Sequence, residues 1–428
     1  MNIDFLSACR AIESLRSGVP NSIAVALLGC SQPRIVKRFE TAIDGLLSTR
    51  SQSGHDRGFL VKGGFGCGKS HLLARLTEIA SKRECVISRV PINKETPLSD
   101  PDKLFKALAQ SAVLPDRRGP GLYEAAQKID TESNEFRELE KWARTDNSLD
   151  ERFHLSLQMF RMARRNFEIK DQIARFWAGE TFGIPLFKSR LQEVGMPVST
   201  KLRTVKTQEL ARQRMAFATR MLAASGYSRW VWLIDEVELI GCYSSLQRLK
   251  SYCEIGRMLS GKVESDRPGV VTVMAITDDF ETAVLFGKGD LFSMPSHFEE
   301  RRTMEADDAR YPPQYGMSII QKEGILLEPL RTEDADALYR RLQQLYSAAY
   351  DWEPRETQIP TVPSSTTVRQ RIKQWITTWD MERLFPDVQT VMQLDAVAND
   401  YTEETPDVQE SGMCGDAIVD EILKSLDC

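Results

Sequence analysis

Residues 58–70 read GFLVKGGFGCGKS, a short apolar segment followed by a glycine-rich loop that ends in Lys-Ser. The stretch from Gly63 to Ser70 fits the pattern GxxxxGK[ST]. Glycines in such a loop let backbone N–H groups approach phosphate oxygens, and the start of a following helix adds positive potential. The stretch therefore predicts a strand, a phosphate-binding loop and a helix, in that order. A chance glycine-rich turn is the alternative, and the flanking elements disfavour it.

The loop residues are predicted to divide the work of holding a nucleotide. Lys69 would neutralise the β and γ phosphates, and the Ser70 hydroxyl would ligate Mg²⁺. Cys67 is interpreted as a tolerated small residue whose position near a helix N-terminus predicts a lowered thiol pKa. The residues expected to contact the nucleotide are Gly63, Gly64, Phe65, Gly66, Cys67, Gly68, Lys69, Ser70 and His71.

A second motif, WVWLIDE at residues 230–236, is an apolar strand that ends in two acids. Parallel sheets bind ligands at the carboxyl ends of their strands, so these acids are expected beside the loop. Asp235 would hold Mg²⁺, directly or through water, and Glu236 would polarise the attacking water and accept its proton. The alternative is a solvated acidic pair at the start of a helix.

Another apolar strand, Val270 to Ile276, is followed by Thr277-Asp278-Asp279. Thr277 is expected to reach the γ-phosphate or the water, with Asp278 as second choice. Helix capping by these residues is an equally weighted alternative. A guanine-reading motif is not supported, because Asn93-Lys94-Glu95-Thr96 lacks its aspartate, so the expected nucleotide is ATP.

Five β-rich segments alternate with helical patterns, which predicts an α/β fold with a parallel sheet buried on both faces. The predicted strands are Gly58 to Lys62, Cys85 to Ile92, Trp230 to Ile234, Val270 to Ile276 and Gly324 to Leu327. The predicted divisions are an N-terminal helical segment (1–57), a core (58–328) with a helical insertion at about 122–205, a helical lid (329–386) and an acidic tail (387–428).

The composition is that of an ordinary globular protein, with 428 residues, 42% apolar and 27% charged. No apolar segment is long enough to cross a bilayer, and no basic and apolar leader opens the chain, so a cytoplasmic protein is expected. Eight cysteines without a CxxC pair and four histidines disfavour a structural zinc site or a disulfide framework.

Charge is unevenly distributed along the chain. Residues 388–428 hold ten acidic residues and one lysine, so the rest has 55 basic against 51 acidic residues. Residues 186–220 carry eight Lys or Arg against two Glu. Such a segment could contact the phosphate backbone of DNA, although a solvated helical face is the favoured interpretation because no nucleic-acid-binding motif accompanies it.

Together these motifs resemble the AAA+ branch of P-loop ATPases, and more narrowly the small ATP-binding proteins, of BrxD type, of bacterial BREX phage-defence systems. The resemblance covers most of residues 10–380. It rests on AIESLRSGVPNSIAVALLG, GGFGCGKSHLLARL, VPINKETPLSDPDKLF, LIDEVELIGCYSSLQRLKSY and AITDDF. It implies a P-loop NTPase core with a lid, in which Lys69 and Ser70 bind nucleotide and Mg²⁺ and Asp235 and Glu236 form the hydrolytic pair.

The resemblance also implies finer roles. Thr277 corresponds to a first sensor of the γ-phosphate, and Arg369 to a second sensor on the lid, with an exposed helix arginine as the alternative. In a homo-oligomer, Arg301 or Arg302 could supply an arginine to the nucleotide site of a neighbouring copy. Adenine contacts are expected from the segment around Val19 to Leu28.

The resulting functional prediction is an ATP-driven switch acting with other proteins of an antiphage complex. ATP binding would close the lid and hydrolysis would reopen it. One alternative is a nucleotide-gated scaffold with negligible turnover. Another is a helicase or DNA-complex loader. The remaining length shows no second motor core, which disfavours autonomous unwinding and leaves loading as the form of this alternative.

Overall fold

The computed structural model describes residues 4–18, 21–46, 57–117, 119, 121–197, 202, 204–260, 267–301, 310–354 and 366–386. The predicted acidic tail lies outside these ranges, as do Val19 and Arg302. Within them the chain forms an α/β fold around one sheet of five strands in the order β2-β3-β4-β1-β5. Every pair is parallel, which confirms the predicted α/β class and parallel sheet. The strands are β1 Gly58–Lys62, β2 Val86–Pro91, β3 Trp230–Asp235, β4 Val270–Ile276 and β5 Ile325–Leu326.

The strands are mainly apolar because both faces of the sheet are covered. In β3, Trp230 and Trp232 belong to one hydrophobic cluster, whereas Val231 and Leu233 belong to another on the opposite face. Successive side chains of a strand point to opposite faces, so continuous burial needs apolar residues at every position. The sequence of β3 therefore reads as an unbroken apolar segment instead of an alternating one.

The register brings three strand ends to the same edge of the sheet. Lys62, the last residue of β1, lies opposite Ile276, the last residue of β4. Asp235, at the end of β3, lies opposite Pro91. The glycine-rich loop, the acids and the polar residues after β4 consequently leave the sheet side by side, where open parallel sheets bind ligands.

Four helices precede or follow β1: α1 Phe5–Ser17, α2 Ser22–Leu28, α3 Pro33–Gly45 and α4 Lys69–Lys82. The α3 and α4 helices cover one face of the sheet. The side chain of Asp4 caps α1 by accepting a hydrogen bond from the Ser7 N–H, and Asn21 caps α2 in the same way through Ala24.

The other face of the sheet carries the helices that lie between β2 and β3. In the described residues these are α5 Pro101–Gln110, α6 Gly121–Gln127, α7 Asn134–Thr145, α8 Glu151–Met162, α9 Phe167–Trp177, α10 Ile184–Glu193 and α11 Thr207–Ala224. Aromatic rings join them: the Phe153 ring lies 4.9 Å from that of Phe217, and Trp177 lies 5.4 Å from Phe217. These helices share one hydrophobic cluster with the sheet.

After β3 the chain forms a short 3-10 turn at Val237–Cys242 and then α12 Ser245–Leu259. Beyond β4 lie a π-helical turn at Glu281–Phe286, α13 Asp290–Arg301, α14 Pro313–Ser318 and a second π-helical turn at Ile319–Glu323. The described part ends in two long helices, α15 Thr332–Tyr350 and α16 Val368–Leu384.

The two ends of the described chain pack together. Helices α1, α2, α15 and α16 build a third hydrophobic cluster around Tyr346, Trp375 and Trp379. Arg16 of α1 donates to both carboxylate oxygens of Asp380 on α16, at 3.0 and 2.8 Å. Through this cluster the N-terminal helices and α16 form one layer beside the sheet edge. No helix in the described ranges has the length and apolar character that crossing a membrane would need.

Candidate functional site

The glycine-rich loop wraps around the amine of Lys69. Lys69 is the first residue of α4 and is buried. Its Nζ donates to the carbonyl of Gly63 at 2.9 Å and lies 3.3 Å from the carbonyl of Gly64. Gly66 and Gly68 adopt φ values of +76° and +102°, which residues with a Cβ rarely reach. The glycines at these two positions are therefore needed for the loop to fold over the amine.

A cavity of about 300 Å³ opens beside this loop. Most of the predicted loop residues line it: Phe65, Gly66, Cys67, Gly68, Lys69, Ser70 and His71. Asp235, Glu236 and Arg369 line it as well. The structure thus brings three separately predicted segments to one cavity. Gly63 and Gly64 contribute the carbonyls that hold Lys69.

The Asp235 carboxylate is held on both of its oxygens. Oδ1 accepts the backbone N–H of Glu236 at 3.1 Å, and Oδ2 accepts from Arg89 of β2 at 3.3 Å. The same Arg89 nitrogen lies 3.3 Å from the carbonyl oxygen of Ser70. Arg89 therefore links the two residues predicted to hold Mg²⁺. No local pattern in the sequence indicates Arg89, because its contact with Asp235 depends on how β2 pairs with β3.

Glu236 combines an unusual backbone with a perturbed carboxyl group. Its φ is +58°, a left-handed conformation that is uncommon for a residue other than glycine. Burial raises the pKa of Glu236 above its ordinary value, and the neighbouring charge of Asp235 raises it further. A carboxylate with a raised pKa is a better proton acceptor near neutral pH.

Glu238 is a third acid of the cavity that the sequence reasoning missed. Its Oε1 lies 3.7 Å from the Nζ of Lys69, and its Oε2 is buried without a hydrogen-bond partner. Burial raises the pKa of Glu238, and the charge of Lys69 opposes that rise. The available signal was spacing: Glu238 follows Asp235 by three residues, which returns a side chain to the same side of a helical turn.

Thr277 and Asp278 lie at the tip of β4, directly behind the loop. Thr277 is buried and is not among the residues that line the cavity. A methyl group built on Gly64 would lie 3.7 Å from the carboxylate of Asp278, so that acid faces the loop. The backbone N–H of Gly63 also donates to the carbonyl of Ile276 at 3.2 Å, which fixes the loop to this strand tip.

Helix α16 touches the loop through its first turn. The backbone N–H of Arg369 donates to the carbonyl of Gly66 at 3.2 Å, and the guanidinium lies 5.1 Å from the centre of the Phe65 ring. Thr367 and Gln370 form a capping box at the start of the helix. Arg369 is thus positioned at the cavity by a capped helix end and an aromatic ring.

The N-terminal helices close the opposite side of the cavity. His71 Nε2 lies 2.6 Å from the carbonyl of Gly29, and Arg341 of α15 donates to the carbonyl of Leu28 at 2.8 Å. Burial lowers the pKa of His71, so the neutral imidazole donates its Nε2 hydrogen at neutral pH. Leu28 and Gly29 line the cavity, which puts the end of the segment predicted to contact adenine beside the loop.

The predicted lowering of the Cys67 pKa is wrong. Burial raises the pKa of the thiol, and the carboxylate of Asp278 adds to the rise. Both effects disfavour the thiolate and exceed the opposing attraction of Lys69.

Several basic residues of segment 186–220 are engaged inside the protein. Arg190 pairs with Glu168 and Glu193, and Arg220 lies 4.0 Å from the centre of the Trp142 ring. Arg214 is buried and donates to the carbonyl of Glu180 at 2.9 Å. Lys201 and Arg203 lie outside the described residues. These contacts reduce the charge that the segment offers to a phosphate backbone.

The described residues contain no group of three or more His, Cys, Asp or Glu that could hold a metal ion. The two Mg²⁺ candidates are a hydroxyl and a single carboxylate, Ser70 and Asp235. Such a pair is typical of a Mg²⁺ ion that takes its remaining ligands from phosphate and water.

The fold and the site define an α/β protein with a glycine-rich loop and acids around one cavity at the carboxyl edge of a parallel sheet. Residues 7–183 match the family model described as BREX system ATP-binding protein BrxC/D. The match confirms, over residues 7–183, the resemblance to the BREX ATP-binding proteins that was inferred from the sequence. Searches of the curated proteins and of the solved structures found no match.

Proposed function

We propose that this chain is a Mg²⁺-dependent ATPase of the AAA+ class. The observation that carries the proposal is the convergence of Lys69, Asp235 and Glu236 on one cavity beside the glycine-rich loop. Residues that follow β1 and residues at the end of β3 meet there. Phosphoryl transfer depends mainly on positioning and electrostatic stabilisation. The family match over residues 7–183 supports ATP as the nucleotide.

The residues present fit a nucleotide with bound Mg²⁺. The Lys69 amine is held by two loop carbonyls and a carboxylate 3.7 Å away, so an anionic ligand would give it a stronger partner. The ion would be held by the Ser70 hydroxyl and by Asp235. When bound, Mg²⁺ supplies charge neutralisation across the phosphates.

The chain's own residues divide the remaining work. Glu236, with its raised pKa, orients the attacking water and accepts its proton. Arg369 reaches the cavity from α16 and serves as a second sensor of the phosphates. Thr277 serves as a first sensor from behind the loop, and this role requires the tip of β4 to move because Thr277 is buried.

The same contacts suggest how hydrolysis is transmitted. Helix α16 touches the loop through Gly66 and belongs to the cluster that includes α1 and α15. We take α15 and α16, within residues 329–386, as the lid over a core at 58–328, with residues 1–57 completing the pocket. The insertion at 122–205 or the tail at 387–428 passes the change to other proteins of a defence complex in the cytoplasm. Homo-oligomerisation and DNA contact through residues 186–220 are secondary parts of this proposal.

A nucleotide-gated scaffold is the second candidate, and one observation favours it. Asp235 is already paired with Arg89, and Lys69 already has a carboxylate beside it. A site whose charges are satisfied internally can bind nucleotide and still turn it over slowly.

Phosphate release measured with and without DNA tests the proposal. The purified wild-type chain is compared with Glu236→Gln in Mg²⁺ and in EDTA. Mg²⁺-dependent release that falls at least about 100-fold in the variant supports the ATPase, since a positioned base contributes about 10²–10⁴-fold. DNA stimulation of the wild type would favour loading onto DNA. Equal, negligible release by both proteins would favour the scaffold.

A further inference from the structure

Glu238 occupies a position that the proposed hydrolysis does not explain. It lies on the 3-10 turn after β3, its side chain is 10% exposed, and it lines the cavity. Its Oε1 lies 3.7 Å from the Lys69 amine, beyond hydrogen-bond distance. Its Oε2 is buried and has no hydrogen-bond partner. Buried polar atoms are nearly always satisfied, so an unpartnered carboxylate oxygen facing a ligand cavity needs an explanation.

Electrostatics connect this carboxylate to nucleotide binding. Lys69 is buried, and Glu238 is the acid with which it forms an ion pair. A phosphate that approaches Lys69 also approaches Glu238, and two anions close together in a partly buried site repel strongly. A phosphate group therefore competes with Glu238 for the Lys69 amine.

We propose that Glu238 is the resident counter-ion of Lys69 and that the β and γ phosphates of an incoming nucleotide replace it. The inference rests on the proposed function, because it names a residue that sets nucleotide affinity at the same site. Glu238 is a positioning residue. Before a nucleotide binds, it is the ion-pair partner of Lys69. When a nucleotide binds, its charge lowers the affinity for ligands that place a phosphate beside Lys69. The site thus binds nucleotide less tightly than its loop alone would allow.

The test compares equilibrium affinities of wild type and Glu238→Gln for ATP, ADP and AMP, in EDTA and in Mg²⁺. The glutamine keeps the shape of the side chain and removes the charge. We expect the dissociation constants for ATP and ADP to fall about tenfold, because one repulsive charge is removed from a partly buried site. The constant for AMP is expected to stay within about twofold, since AMP has no β or γ phosphate to meet Lys69.

Glu281→Gln is the matched control. Glu281 pairs with a buried lysine, Lys62, at 3.3 Å, and neither residue lines the cavity. This variant is expected to bind ATP like the wild type. If Glu238→Gln binds ATP as tightly as the wild type or less tightly, the inference is overturned. The proposed function still stands in that case, provided that the wild type binds ATP. Absence of ATP binding by the wild type overturns both.

A nucleotide-free measurement tests the counter-ion role separately. The melting temperatures of Lys69→Met, Glu238→Gln and the double variant are compared with that of the wild type. If the two residues are partners, the decreases in melting temperature of the two single variants add up to more than the decrease in the double variant. Additive losses contradict the pairing. This cycle also detects a variant that fails to fold.

Discussion

Glu236 holds a left-handed backbone conformation at the point where β3 ends and the 3-10 turn begins. A left-handed φ of +58° costs a glutamate about 1–2 kcal/mol, and the adjacent Asp235 charge raises its carboxyl pKa. Strain of this kind persists where the surrounding structure requires it, and it is concentrated at functional sites. At this position the backbone turns sharply from β3 into the 3-10 turn and directs the carboxylate into the cavity.

Replacing Glu236 with glycine should therefore separate stability from activity. We expect Glu236→Gly to raise the free energy of unfolding by about 0.5–1 kcal/mol, because glycine accepts this φ freely, and to abolish turnover. Thermal unfolding and phosphate release measure the two effects. Glu84→Gly is the control, since Glu84 has a φ of +54° away from the cavity. It should gain stability and keep its turnover; a loss of stability in Glu236→Gly would show that the strain is not real.

His71 makes the stability of the site depend on pH. Burial holds its pKa below the ordinary value of 6.5, so the unfolded chain binds a proton more readily than the folded chain. The stabilisation is fully present above pH 6.5 and is lost as the pH falls through the lowered pKa. We expect His71→Gln to lose less stability than the wild type between pH 7 and about pH 5. If the free energy of unfolding falls equally in the two proteins between pH 7 and about pH 5, this prediction is wrong.

Strands β3 and β4 were predictable because burial on both faces of the sheet requires a nearly unbroken apolar segment. All five predicted strands are present, and β2 and β5 are shorter than predicted, at Val86–Pro91 and Ile325–Leu326. The loop and the Asp235-Glu236 pair could be read from local patterns. Arg89 could not, because its contact with Asp235 depends on the pairing of β2 with β3. Glu238 lay within reach of a spacing argument.

The contact between the loop and α16 depends on the absence of a side chain at Gly66. A Cβ there would lie 2.9 Å from Thr367 Oγ1, and the φ of +76° is itself unfavourable for alanine. Gly195 has the same φ of +76° and open space around it. We expect Gly195→Ala to lower the free energy of unfolding by about 1 kcal/mol and Gly66→Ala to lower it clearly more. Denaturant unfolding measures both changes. Equal losses would mean that α16 does not constrain the loop.

The whole molecule combines two layers that meet at the cavity. Helices α1, α2, α15 and α16 form their own hydrophobic cluster, separate from the two clusters on the faces of the sheet. The cavity is lined by residues from both the loop and this layer, including Leu15, Arg341 and Ile372. A ligand that fills the cavity would therefore hold the layer against the loop.

Hydrogen exchange should report this closure. We expect ATP with Mg²⁺ to slow amide exchange in the loop, at the end of α2 and in the first turns of α16, because the ligand adds contacts between these segments. Helices α7, α8 and α9 do not line the cavity and serve as the internal control. If ATP with Mg²⁺ slows amide exchange in the loop alone, the layer of α1, α2, α15 and α16 does not close on the ligand.

The identity of the nucleotide that stays bound distinguishes an ATPase from a scaffold. Wild type and Glu236→Gln are each incubated with ATP and Mg²⁺, separated from free nucleotide, and the bound ATP and ADP are quantified. The proposed ATPase predicts that the wild type retains mainly ADP, whereas Glu236→Gln retains mainly ATP in similar total amount. Mainly ATP on both proteins, or equal conversion to ADP by both, would contradict hydrolysis by Glu236 at this site.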